Sequence, residues 1–314
     1  MNLRPAQPLV SVIIPVYNRT RFLGQAIRSV LGQTGVPVEV IVVDDGSESD
    51  IRAACQPFGD AITFLRKRNG GQASARNLGS RHAKGEFLLF LDDDDFLEPT
   101  ALADLLDAIR CEPALGWAVG KFAYVDEAGQ PLAHRHTGHL VRGDVYGRLV
   151  KRNAIGPPCV VLVAADAFRA VGGFNEDRAF ELCEDYDLWL TLAREYPAGV
   201  TERTVAGYRR YPGQGTTNRI RHYEAWLRVL RKHRLTGRPG TESEFDRTIA
   251  RIQLEYGDNL YLAGRATEAR RQWRGVGRRV RRGALAIRFV KSYLPASVLR
   301  RLRSLRTSGQ TRPA

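Results

Sequence analysis

Through the first two thirds of the chain, short runs of consecutive apolar residues alternate with stretches whose apolar positions recur at helical spacing. Val10–Ile14, followed by Pro15, reads as a buried strand. Asn18–Thr20 offers a helix start, and Phe22, Leu23, Ala26, Ile27, Val30 and Leu31 then fall on one helical stripe. The β-branched run Val38–Val43 predicts a second strand. Arg52–Phe58 predicts a helix, Ile62–Leu65 a short strand, Ser74–His82 a helix and Phe87–Leu91 an apolar strand; a helix at Ala101–Arg110 follows Pro99. Later strands are predicted at Trp117–Tyr124 and Val160–Val163, and a helix at Tyr186–Glu195. From about Arg219 the pattern is mostly helical, with candidate helices at Arg265–Arg274, Ala284–Tyr293 and Val298–Leu305. No internal repeat is visible.

Strands and helices alternating over short connections imply βαβ units. The expected fold class is α/β, with a Rossmann-like, doubly wound, mostly parallel sheet and a basic helical region at the C-terminal end. Such sheets take ligands beyond the carboxyl ends of their strands. That rule marks Asp44-Asp45-Gly46-Ser47 after the second strand and Asp92-Asp93-Asp94-Asp95 after Phe87–Leu91.

Composition narrows the class. With 314 residues, 43% hydrophobic and 26% charged, the chain is an ordinary globular one, which excludes wholesale disorder. Its charge is uneven. Residues 1–200 hold 21 basic and 26 acidic side chains, residues 201–314 hold 27 and 8, and the whole is +14. A mildly acidic body therefore carries a strongly basic end, which points to nucleic acid, an anionic membrane surface or an acidic partner, or simply to a solvated basic face. Cys55, Cys111, Cys159 and Cys183 have neither metal-ligand spacing nor the density of a disulfide framework, so free thiols are expected. No apolar run approaches a membrane span, and the start lacks a signal-peptide layout. The expectation is a cytoplasmic protein, with peripheral attachment to the inner face of the membrane as the alternative that the basic end raises. There Val298, Leu299, Leu302 and Leu305 share a helical face beside Arg300, Arg301, Arg303 and Arg306.

The aspartate quartet carries the strongest chemistry. Four adjacent carboxylates repel one another unless a cation sits among them, and Asp92 and Asp94 can aim oxygens at one hard divalent ion, Mn²⁺ or Mg²⁺. Acidic residues ahead of a helix would also favour its dipole, but one would suffice. Asp44–Ser47 reads equally as a turn or as a carboxylate site for a base or ribose. Asn69-Gly70-Gly71 ahead of Ala75-Arg76-Asn77 could hold phosphate on backbone N–H groups or be a plain loop, and it is neither a Walker loop nor a dinucleotide fingerprint. Glu184-Asp185 precedes an apolar helix; spacing alone favours a cap over a general base. His134, His136 and His139 read as a polar loop rather than a zinc site.

Taken together, Val10–Asn18 (Val-Ser-Val-Ile-Ile-Pro-Val-Tyr-Asn), Val43–Ser47 (Val-Asp-Asp-Gly-Ser), Ala75-Arg76-Asn77 and Gly85–Asp95, ending in the quartet, resemble glycosyltransferase family 2 in order, spacing and residue type. Gly172–Glu176 and Glu184–Trp189 resemble its acceptor-side Gly-Gly-Phe and Glu-Asp motifs. The resemblance covers roughly residues 8–215. It implies the GT-A fold and an inverting, metal-assisted transfer from a nucleoside-diphosphate sugar, UDP-linked by expectation, to an acceptor hydroxyl on a glycan or lipid-linked saccharide. It implies a catalytic domain over 1–215, with its nucleotide-sugar half near 8–115 and its acceptor half near 116–215, ahead of the basic region 216–314. It further implies that Pro15 and Tyr17 line the nucleoside pocket, that Asp45 bonds the base or ribose with Asp44 supporting it, and that Asn69, Gly70, Gly71 and Arg76 lie against the nucleotide. Asp92, Asp93 and Asp94 would sit at the diphosphate, Asp94 being the direct metal ligand and Asp92 its partner. Asp185 would be the catalytic base, with Gly172, Gly173, Phe174 and Glu184 on the acceptor side. One departure stands out: Tyr211 occupies the place of a His common in relatives, in Tyr208-Arg-Arg-Tyr-Pro-Gly213, which leaves Arg209 and Arg210 as candidates for the diphosphate. The competing readings are a nucleic-acid-binding protein working through the basic region, which leaves the quartet unexplained, and a non-catalytic nucleotide-sugar-binding relative.

Overall fold

The computed structural model describes residues 9–112, 114–135, 142–212, 218–276, 288–289 and 292–293. The helix predicted at Val298–Leu305, most of Ala284–Tyr293, and His136 and His139 lie outside them. The strands are β1 (Val10–Val16), β2 (Val38–Asp44), β3 (Ile62–Arg66), β4 (Phe87–Phe90), β5 (Phe96–Leu97), β6 (Trp117–Val125), β7 (Pro131–Arg135), β8 (Val161–Ala164) and β9 (Ala198–Arg209). The helices are α1 (Leu23–Leu31), α2 (Ile51–Cys55), α3 (Gln72–His82), α4 (Ala101–Arg110), α5 (Tyr146–Lys151), α6 (Ala165–Ala170), α7 (Glu184–Glu195), α8 (Arg219–Thr236), α9 (Glu242–Leu262) and α10 (Ala266–Gly275).

All the strands join one sheet in the order β3-β2-β1-β4-β8-β6-β9-β5, with β7 beside β6. β1 to β4 are mutually parallel. β8 runs against both β4 and β6, and β9 lies parallel to β6, so β6 and β9 point the same way as β1. The mostly parallel α/β sheet expected from the alternating pattern is present. Every residue of β1 is buried, as a strand covered on both faces must be. Helix α3 reaches this layer closely because Gly79 has no side chain: a Cβ there would lie 2.4 Å from Ile13 Cγ2.

Five elements escaped the sequence pattern: β5, β7, α5, α6 and β9. β9 hides its strand character because its middle, Glu202–Thr204, is exposed and polar. The helix predicted over Arg52–Phe58 stops at Cys55 and continues as tight turns over Gln56–Ala61, where Gly59 leaves helical space at φ 48°.

The chain after residue 215 packs on the body as far as it is described. Arg238 donates to the carbonyls of Ala193 and Arg194 at the end of α7, and Tyr146 of α5 meets Phe245 of α9 ring to ring at 6.4 Å. Between α7 and α8, buried Asp187 accepts from Lys232 Nζ at 2.6 and 2.9 Å and pairs with His233 Nε2 at 2.9 Å. Burial opposes that charge, yet the bonds from His233 and Lys232 hold the Asp187 carboxyl below its ordinary range. Trp273 of α10 is buried beside Tyr261 of α9.

Candidate active site

The predicted loops converge at the carboxyl end of the parallel strands. Backbone N–H groups of Gly70 and Gly71 donate to the two Asp45 oxygens at 2.9 and 2.7 Å, and Lys67 Nζ donates to one of them at 2.9 Å. Asp45 therefore holds the Asn69–Gly71 loop and keeps about one of its roughly four acceptor positions for a ligand. Gly71 sits at φ 92° and ψ 166°, a backbone conformation that suits glycine, at the approach to α3. Asp44 is fully buried, accepts the Ser47 N–H at 2.8 Å and lies 3.0 Å from an Arg66 nitrogen. Asn18 N–H donates to Ser47 Oγ, tying the end of β1 to this loop. Pro15 is buried within β1, whereas Tyr17 just beyond it is 46% exposed.

The quartet has cations of its own. Arg19 donates to both oxygens of Asp93 and stands 3.3 Å from Asp94 Oδ2. Arg76, fully buried, donates to Asp92 Oδ1 at 2.6 Å and to Glu184 Oε1 at 2.9 Å, and so links the quartet to the Glu-Asp motif. Its guanidinium lies over the Phe174 ring at 5.2 Å. Asp95 accepts the Arg209 N–H at 2.9 Å. Burial is the main reason that Asp93, Asp94 and Asp95 titrate above the usual carboxylate range, Asp93 at about 7; Arg19 opposes the shift at Asp93 and Asp94. One oxygen from each of Asp92, Asp94 and Asp95 falls within 4.8 Å of the others, a spacing that suits one divalent ion. Tyr211 donates to Asp94 Oδ2 at 2.7 Å, so the residue at the departing position touches the expected metal ligand itself.

A cleft of about 360 Å³ joins the quartet to the start of α7; Asp92, Asp94, Arg76, Glu184 and Asp185 all line it. Asp185 is half-buried, and Oδ1 accepts the Tyr186 N–H at 2.6 Å. The N-cap of α7 is Cys183 and carries no side-chain cap bond, so the cap expected from spacing at Glu184-Asp185 is not formed: both lie within the first turn, where one Asp185 oxygen takes the Tyr186 N–H and the other remains for chemistry. Burial, and then the neighbouring Glu184 charge, raise the Asp185 carboxyl to about 7.

Not every predicted residue reaches this cleft. Pro15, Tyr17, Asp44, Asp45 and Asn69–Gly71 are not part of its lining; they lie at the ends of β1 and β2 and on the loop before α3, and Asp93 faces an adjoining hollow with Arg19 and Tyr211. Gly172 and Gly173 make a turn at φ 85° and 73°, and Phe174 is buried against Phe90 and Phe168 under Arg76. These three brace the floor through Asn77, which pairs with Phe174 backbone. Arg209 does not reach a ligand: it is fully buried and donates to the carbonyls of Asp94, Asp126 and Glu127 and to Gln25 Oε1. Arg210, the next residue, lines the cleft, exposed, over the rings of Tyr124 and Tyr208. Sequence reasoning missed Arg19, Phe122, Tyr124, His222 and Trp226. Only Arg19 had a signal, its place just past the carboxyl end of β1.

Residues 11–164 match the Glycosyl transferase family 2 model. An uncharacterized glycosyltransferase of Rickettsia felis is 31% identical over 282 residues, covering 83% of this chain and 42% of its own length. Chondroitin synthase of Escherichia coli is 30% identical over 193 residues, 60% of this chain and 27% of that one. Among solved structures, S. aureus TarS 1-349 with UDP-GlcNAc superposes with TM-score 0.63 at 19% identity, over 85% of this chain and 79% of that one. Mannosyltransferase PcManGT from Pyrobaculum calidifontis, solved with GDP-Man and Mn²⁺, superposes with TM-score 0.62 at 19% identity, over 92% and 80%. The fold is GT-A, and the chain belongs to glycosyltransferase family 2. It spans about 42% of the length of its first rickettsial relatives. Among the described residues no helix is long and apolar enough to cross a membrane.

Proposed function

We propose that the chain transfers a sugar from a nucleoside-diphosphate donor, UDP-linked, to an acceptor hydroxyl on a saccharide, with inversion at the anomeric carbon. The observation that carries this reading is the joining of Asp92 and Asp94 to Asp185 across one cleft. The nucleoside lies along Tyr17, Asp45 and the Asn69–Gly71 loop, and its diphosphate points toward the quartet. Asp92 and Asp94 would hold Mn²⁺ or Mg²⁺. When bound, that ion offsets charge growing on the departing diphosphate. Arg210, exposed and unpaired by any carboxylate among the described residues, is the side chain placed to add to that stabilisation. Asp185 takes the acceptor proton as the acceptor oxygen forms its bond to the anomeric carbon. The bond from that carbon to the diphosphate oxygen breaks, and its electron pair leaves on the nucleoside diphosphate. One displacement inverts the centre, and no enzyme nucleophile is required.

A thermal-shift panel of UDP- and GDP-sugars, with and without Mn²⁺, tests the donor side. The expected result is stabilisation by a UDP-sugar that grows with Mn²⁺, with the metal-dependent part lost in Asp94→Ala. Stabilisation by GDP-mannose instead would reassign the base. No stabilisation by any nucleotide would remove the transferase reading and return attention to the basic region and nucleic acid. Binding without turnover across an acceptor panel would favour a non-catalytic relative.

A further inference from the structure

We infer that helix α8 forms the acceptor wall of this cleft, with Trp226 as the stacking platform for a pyranose ring. The inference rests on the transferase reading above and deepens it. The basic helical region would then begin as part of the active site, not as an appended tail.

The cleft has two aromatic walls. Phe122 and Tyr124 of β6 and Tyr208 of β9 form one, their rings 5.1 to 5.8 Å apart. Tyr186 of α7 and Trp226 of α8 form the other. Trp226 is half-buried, lies parallel to Tyr223 at 6.4 Å, and meets Tyr186 edge-on at 6.2 Å. The indole is packed among the rings of Tyr223, Tyr186 and His222, the last 5.6 Å away, while it contributes to the cleft surface. Carboxylates and Arg210 share the same lining.

A mixture of flat apolar faces and polar rim groups suits a sugar ring, which shows C–H on its faces and hydroxyls around its edge. A lipid tail would leave those charges without partners, at a desolvation cost. The volume of about 360 Å³ is in the range of small-molecule sites.

The platform is also rigidly tied to the base. Lys232 and His233 of α8 grip Asp187, two residues beyond Asp185 on α7. Cys183 Sγ donates to the His222 carbonyl at 3.7 Å on the other side of the Glu-Asp motif. Burial pushes the Cys183 thiol up and the His222 ring down, each toward its uncharged form, in contrast to the ion pair at Asp187. Holding acceptor and base on one unit fixes the hydroxyl against Asp185, which is how positioning lowers a barrier.

Saturation-transfer NMR tests the platform with methyl β-glycosides of glucose, galactose, N-acetylglucosamine and glucuronic acid, in the presence of UDP and diamagnetic Mg²⁺. At least one glycoside should receive saturation from the intact chain. Trp226→Leu should cut that signal at least fivefold and Trp226→Phe should keep it, while the UDP-induced thermal shift stays the same in all three. If Trp226→Leu unfolds, ¹⁵N-tryptophan spectra of the intact chain decide. Of four indole signals, the one missing in Trp226→Phe should move on adding the glycoside. Full saturation in a folded Trp226→Leu, a Trp226 indole signal that stays still, or no saturation of any glycoside overturns the inference. Trp226-dependent glycoside binding by a chain that ignores UDP would overturn the transferase reading while keeping the platform.

Discussion

The two walls of the cleft are built on different physics. On the side that we assign to the donor, Asp44, Asp45 and the quartet lie at strand ends and are fixed by polar bonds with set geometry, such as Gly70 and Gly71 on Asp45. Their charge is met by cations of the same chain, the buried Arg76 and the more exposed Arg19, Arg66 and Lys67. On the other side, Phe122, Tyr124, Tyr208, Tyr186 and Trp226 come from four separate elements and are held by ring packing. The first wall is a charge network whose members set one another's charge and geometry. The second is an apolar surface that tolerates exchange of one ring for another. Asp185 stands where they meet, and substitutions there should separate them most sharply.

Asp185→Asn keeps the size and the Tyr186 N–H contact but cannot take a proton. Transfer should fall by about 10²- to 10⁴-fold, the range for loss of a general base. The donor-induced thermal shift should be unchanged. Normal transfer by this variant would dismiss Asp185 as the base.

Adjacent arginines at the end of β9, Arg209 its last residue and Arg210 just beyond it, give the next contrast. Arg209→Ala removes a fully buried side chain and strands the Asp94 carbonyl in a buried place. It should cost about 3 kcal/mol or more of stability in urea unfolding. Arg210→Ala should leave the unfolding midpoint alone and weaken donor binding about tenfold, roughly 1.4 kcal/mol. Equal effects of the two on stability would refute the separation of roles.

This pair also shows what the sequence could reveal. The parallel strands β1, β2 and β4 were legible because a both-faces-buried strand is a continuous apolar run. The quartet and Asp45 were legible because their chemistry sits in consecutive residues at strand ends. Arg209 and Arg210 look alike in sequence. Strand alternation puts one in the core and one in the cleft, and β9 itself was hidden by its polar middle. The demand of four aspartates for a cation was read as a demand for metal, yet Arg19 and Arg76 meet part of it from 74 and 16 residues away. The aromatic wall gave no signal, since Trp226 in an Arg-rich helix reads as ordinary packing until α8 is seen against α7.

The pH profile sharpens the meeting point of the walls. Asp185 is needed as the carboxylate and titrates at about 7, raised by burial and then by Glu184. Transfer should therefore rise with pH through about 7, and fall toward tenfold per unit below it. Glu184→Gln removes the neighbouring negative charge and leaves Arg76 with Asp92 alone. Both changes favour ionised Asp185, so the acid limb should move down, toward the ordinary aspartate range. A limb that stays in place or moves up would show that another group controls it.

The smallest effect belongs to Tyr211. Its hydroxyl donates to Asp94 Oδ2 at 2.7 Å, and Arg19 donates to the same hydroxyl at 3.1 Å. Burial and the Asp94 bond raise the Tyr211 hydroxyl further above its ordinary range, so it remains a proton donor and a poor cation ligand at neutral pH. A cation drawing on Asp94 competes with that bond. Tyr211→Phe removes the competitor but keeps the ring against Phe22, 5.5 Å away. One hydrogen bond to a charged group is worth about 1.5 kcal/mol net, an upper bound here because Arg19 remains beside the same oxygen. Mn²⁺ binding, measured by EPR titration without donor, should tighten several-fold. Weaker binding would mean that the hydroxyl orients Asp94 toward the ion instead of occupying it, and that the charge network on this wall is arranged for the metal rather than in place of it.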